Sequence, residues 1–158
     1  MVKSFETMCA QADSFADCFY LLYNQDESDF FKYSNPLIFN GVFACELYLK
    51  ALLFKLDGKY EKTHNLDKLF YKLPQQMQQQ INAQVIAETG KDCDSWKRPY
   101  IETIANAFVD WRYIYEQQRG SMTAPIGYIK ALITALRKQC NNWKFRYPIN
   151  NKFKHTRR

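Results

Sequence analysis

From Pro36 to Leu56 the chain carries two apolar lines at helical spacing. Ile38, Val42, Cys45, Leu49, Leu52 and Leu56 recur at steps of four and three, and Phe39, Phe43, Leu47 and Phe54 form a second line. At about 100° per residue the two lines lie more than about 100° apart around the axis and together cover roughly half of it. A strand needs period two, so this segment is a helix. A surface helix facing one neighbour shows a narrower stripe, so this one is expected to be central or to serve a subunit interface as well.

The rest of the chain repeats the pattern. Phe5, Met8, Cys9, Ala12, Phe15, Ala16, Phe19, Leu22 and Tyr23 predict a helix over about 3–24. The polar stretch NQDESDFFKYSN reads as a loop, with Pro36 at the first position of the next helix and Ser34 or Asn35 as its cap. Asp57-Gly58 ends that helix. Asn65 can cap a short helix bearing Leu66, Leu69, Phe70 and Leu73. Pro74 opens another, with Met77, Ile81 and Val85 inward and Gly90 as its stop. A further helix is expected from Pro99 to about Gln118, on Ile101, Ile104, Phe108, Trp111 and Tyr115. The last begins near Thr123, on Ile126, Ile129, Ile133, Leu136, Cys140 and Trp143. No segment alternates convincingly with period two and no internal repeat is found. The fold class is all-α: an up-and-down bundle of four long helices plus one or two short ones, over residues 1–147.

Composition bounds function more weakly. The 158 residues suit one domain, and 47% are hydrophobic, enough for a sizeable core. The N-terminal segment has no basic region followed by an apolar stretch, and no apolar run approaches the length of a membrane helix, so a cytoplasmic protein without membrane contact is expected. Five cysteines occur with no C-x-x-C pair, and Cys9, Cys45 and Cys140 fall on apolar stripes, as small buried hydrophobes do. The two histidines, His64 and His155, have no metal-ligand spacing around them, and neither a metal nor another cofactor is expected. The net charge of +6 has one location. From Lys144 onward there are six basic residues and no acidic one, which accounts for the whole excess. Lys144, Arg146, Lys152 and Lys154, interleaved with aromatics, suit contact with nucleic acid, while the plainer reading of residues 148–158 is a solvated basic tail.

Two charges sit where periodicity calls for burial. Arg112, in FVDWRYIYE, falls only about 20° beyond the apolar arc of its helix, with Glu116 one turn on. Glu46 falls between the two apolar lines of the Pro36–Leu56 helix, with Lys50 one turn later. A lone buried guanidinium costs several kcal/mol, roughly, and a carboxylate partner makes it tolerable. A Glu46–Arg112 pairing across helices is therefore expected. It is either a structural ion pair fixing helix register or a polar site in a cleft or dimer interface.

These residues, in order, resemble the HEPN superfamily (higher eukaryotes and prokaryotes nucleotide-binding). The resemblance rests on Glu46 and Lys50 in ACELYLKALL, His64 and Leu66 in THNLDKLFYKLP, and Arg112 with Tyr113 in FVDWRYIYE. It implies a helical bundle that commonly dimerises. It also implies either a metal-independent ribonuclease or an inactive partner, often beside a nucleotidyltransferase in toxin–antitoxin or phage-defence settings. The family's ribonuclease motif is an arginine followed after four to six residues by a histidine. Here YIYEQQRG follows Arg112, and no histidine occupies that window. The resemblance thus points to a non-catalytic or degenerate protein that binds or regulates. The alternatives are an atypical endoribonuclease using Arg112 with His64 or Glu116, and a nucleotide-binding module, although the chain has no glycine-rich phosphate loop.

Overall fold

The computed structural model describes residues 4–90, 101, 104–106 and 125–146. Among them are five helices and no strand: α1 (Phe5–Tyr23), α2 (Glu27–Asp57), α3 (Leu66–Tyr71), α4 (Gln75–Thr89) and α5 (Ile126–Arg146). The all-α reading holds.

Local chemistry sets the helix ends. Ser4 and Thr7 form a capping box on α1, the Ser4 hydroxyl accepting from the Thr7 N–H at 3.1 Å. Asn65 caps α3 by accepting from the Lys68 N–H. Gly58 and Gly90 stop α2 and α4 in the left-handed conformation, at φ 69° and 65°, which an L side chain rarely adopts.

Helix α2 is the spine. It packs along α1, crosses α5 and meets α3, while α4 packs on α5. The first apolar line of α2 is buried apart from Leu56, and the second (Phe39, Phe43, Leu47 and Phe54) is half-buried. Phe15 and Phe43 meet edge to face at 4.5 Å between α1 and α2. Gly41 lets three helices approach. A Cβ there would lie 2.6 Å from Ile129 Cγ2 and 2.7 Å from Phe19 Cδ2. Cys9, Cys45 and Cys140 are buried and Cys18 is exposed; Cys93 lies outside the described residues.

Three expectations need correction. The segment NQDESDFFKYSN is a loop only over Asn24, Gln25 and Asp26: α2 starts at Glu27 and carries Pro36 in its interior. Proline lacks the N–H that would bond the Lys32 carbonyl, a defect costing about 3 kcal/mol in a helix interior. Pro36 is exposed, where water can satisfy that carbonyl, while Leu37 and Ile38 beside it are buried. Packing therefore carries the helix through the break. Second, the helix expected from Pro99 to Gln118 is not continuous. Ile101 is helical, but residues 104–106 form a turn. That turn is held by α3: the Leu66 N–H donates to the Ala105 carbonyl at 2.9 Å, and Asn65 Nδ2 donates to Asn106 Oδ1 at 3.0 Å. Ile101 and Ile104 are nonetheless buried. Third, Lys32–Asp57 is long and apolar enough to cross a membrane by length and composition. However, 72% of its apolar window is buried in the fold, as suits the core helix of a bundle.

Candidate functional site

A buried acid organises one polar cluster. Glu46, on α2, is 1% exposed. Lys50, one turn on, donates from Nζ to Glu46 Oε1 at 2.7 Å and is itself 8% exposed. His64 arrives from the segment before α3 and places Nδ1 at 3.0 Å and 3.1 Å from the two Glu46 oxygens. Its ring is half-exposed, at 51%. Lys50 Nζ also lies 5.6 Å from the centre of the Tyr60 ring.

The arrangement follows from the local fold. The i, i+4 step puts Glu46 and Lys50 on one side of α2. The connection after Gly58 returns the chain so that His64 meets that side just before Asn65 starts α3. A buried carboxylate is tolerable when its lone pairs are filled by charged or hydrogen-bonding partners, and two residues do this here. Chemically, the cluster fixes a half-exposed imidazole against a buried carboxylate. That is a way of orienting a histidine for proton transfer or of anchoring a segment. Glu46, Lys50 and His64 are therefore brought together. Arg112, Tyr113 and Glu116 lie outside the described residues, as do Lys152 and Lys154 and the side chains of Lys144 and Arg146. The expected Glu46–Arg112 pairing lies there too.

A second cluster escaped sequence reasoning. Arg137 on α5 donates from Nε to Asp13 Oδ1 at 3.1 Å and to the Tyr48 hydroxyl oxygen at 2.9 Å. Its Nη2 donates to Asp17 Oδ1 at 2.7 Å. The Tyr48 hydroxyl in turn donates to Asp13 Oδ1. The cluster ties α1, α2 and α5. Burial, helped by Asp13, holds the Tyr48 phenol well above its ordinary range against the opposing pull of Arg137. For Arg137, burial favours losing the proton, but Asp17 and Tyr48 outweigh it and the net shift is upward. Burial also raises the Cys45 thiol. A signal existed: Arg137 lies four residues after Ile133 and three before Cys140, both core positions. A charge on an apolar stripe was the criterion that singled out Glu46.

The architecture and the Glu46–Lys50–His64 cluster define a helical-bundle protein with a histidine held by a buried acid. A family model, the HEPN domain, matches residues 31–124. That is more than half of the chain, and the chain belongs to the HEPN domain family, which is nucleotide-binding or ribonuclease-related. No curated protein and no solved structure matches it significantly.

Proposed function

We propose that this chain is a non-cleaving HEPN protein that acts as a binding or regulatory partner in an RNA-related or defence system. The observation that carries the reading is the pairing of His64. The family's histidine is missing from the window after Arg112, and the histidine that does join a polar cluster spends Nδ1 on Glu46, whose charge Lys50 already balances. A histidine held in this way suits the anchoring of a segment better than catalytic turnover. In this reading the protein works as a homodimer, with a nucleotidyltransferase as partner in a toxin–antitoxin setting, and the basic residues Lys144, Arg146, Lys152 and Lys154 meet RNA phosphates. Light scattering at micromolar concentration should give twice the chain mass. RNA affinity should fall with salt and with deletion of residues 148–158.

One observation favours a second reading, an atypical metal-independent endoribonuclease. The His64 ring is half-exposed and its orientation is set by a buried acid. In that case His64 or Glu116 moves the proton while Arg112 stabilises charge on the phosphorane. The deciding experiment is RNA cleavage by the purified protein beside Arg112→Ala, His64→Ala and Glu116→Gln. The first reading expects no cleavage by any of them. Cleavage that is lost in Arg112→Ala and in His64→Ala or Glu116→Gln, with folding intact, would establish the second.

A further inference from the structure

Helices α1 and α5 carry opposite charges side by side. From Phe5 to Tyr23 the charged residues are Glu6, Asp13 and Asp17, with no basic one. From Ile126 to Arg146 they are Lys130, Arg137, Lys138, Lys144 and Arg146, with no acidic one. The two helices run antiparallel along one seam. Lys130 Nζ lies 4.6 Å from the centre of the Tyr23 ring, and the Tyr20 hydroxyl is 3.1 Å from Thr134 Oγ1. Further along, Arg137 reaches Asp17 and Asp13. The solvent side of the seam is left as two strips. On α1, Ala10, Asp17 and Leu21 are exposed, and on α5 so is Lys138. Leu21, at 67%, is the more exposed of the two large hydrophobic side chains that face solvent among the described residues.

The order of charges restricts what can cover such a face. A partner of a single sign would be attracted by one strip and repelled by the other. A second copy carries both strips, and symmetry decides how they meet. A two-fold axis across the helices lays α1 on α1 and α5 on α5, like on like. A two-fold axis parallel to the helices lays each α1 on the partner's α5, acid on base. That arrangement keeps the levels along the seam. Asp17 then comes to the level of the partner's Lys138, and Leu21 lies between the levels of the partner's Thr134 and the partner's Lys130. The face is remote from the His64 cluster. Tyr48, which bonds within the seam, follows Glu46 by two residues on α2, about 200° around the helix. Pairing through α1 and α5 therefore leaves each Glu46–Lys50–His64 cluster on the outer side of its own copy, as two separate sites rather than one shared cleft.

We infer that the outward face of α1 and α5 is the contact between two copies of this chain, each acidic α1 lying on the partner's basic α5. This contact gives the homodimer of the proposed function a surface and a symmetry, and it rests on that reading. The test is size-exclusion chromatography with light scattering, over a concentration series, on the full chain and its surface variants. Leu21→Glu should raise the dissociation constant at least about tenfold, the scale of one lost buried leucine. Tyr71→Glu, at the other exposed large hydrophobic side chain, should leave the dimer intact. Asp17→Lys and Lys138→Glu should each weaken self-association. An equimolar mixture of the two should pair more tightly than either alone, because both contacts of the mixed dimer again set a lysine against an acid. All four side chains are exposed, and Arg137 keeps Asp13 and Tyr48 when Asp17 is changed, so the variants should fold as the parent does, as circular dichroism would check. A monomeric parent at micromolar concentration would overturn this face and the homodimer together. A dimer that survives Leu21→Glu, one that Tyr71→Glu breaks instead, or charge variants that pair no better mixed than alone would overturn this face and leave the homodimer standing.

Discussion

Gly41 shows how much one missing methyl group governs. A Cβ there meets a branched carbon of Ile129 and the ring of Phe19 at under 3 Å, and neither atom is the end of a flexible chain. Alanine would gain about 1 kcal/mol of helix propensity. Overpacking costs about 1–3 kcal/mol and spreads to two neighbouring helices, so the clash should win. Gly41→Ala is expected to lower stability in urea denaturation, and Gly41→Val to lower it further. Glu46 makes a different case. Its removal leaves the ammonium of Lys50 buried without its acid. Glu46→Ala should therefore cost about 3–5 kcal/mol, whereas E46L with K50L should recover most of that. A double variant as unstable as the single one would refute this account of the pair.

At the scale of the element, α2 is held by its surroundings more than by its own residues. Pro36 interrupts its hydrogen bonding, and Asn40 Nδ2 competes for the Pro36 carbonyl at 2.6 Å. Pro36→Ala restores a donor to the Lys32 carbonyl and removes a ring clash, a gain of up to about 3 kcal/mol. It also frees the unfolded chain, a loss of about 0.4–1 kcal/mol. The net expectation is a higher melting temperature, and a lower one would show that the ring packs usefully. The sequence signals for a helix beginning at Pro36 were sound as chemistry, since proline favours a first turn and Ser34 or Asn35 can cap it. They failed because an exposed interior proline on a well-packed helix satisfies the same local rules. The turn at 104–106 was equally illegible. Its bonds run to Leu66 and Asn65, some forty residues away.

Across the whole molecule, the Asp13–Tyr48–Arg137 cluster joins helices from the two ends of the chain. Tyr48 titrates above its ordinary value, so the folded state keeps a proton that the unfolded chain loses near pH 10. Its contribution is complete below that pH and is lost as pH rises toward the folded value. Stability should therefore fall from about pH 10 upward. Tyr48→Phe should flatten that alkaline limb relative to the parent, in denaturation curves taken at successive pH values. An identical slope in both proteins would mean that other groups set it.

Much of the bundle was readable because helix burial has a period. The stripes of α1, α3, α4 and α5 name their core residues, and serine, asparagine and glycine mark the ends. A charge inside a stripe also identified Glu46 and Lys50 as residues of interest. What periodicity cannot give is the partner. It supplies the face of a helix and says nothing of what crosses to it. Whether Glu46 would meet His64, or Arg137 would meet Asp13 and Tyr48, depended on how helices distant in sequence pack, and so did the survival of α2 through Pro36. Sequence by itself determined the all-α class, the core faces and the family. Tertiary structure alone decided which charges meet across elements, because those bonds are made between segments whose relative placement no local pattern encodes.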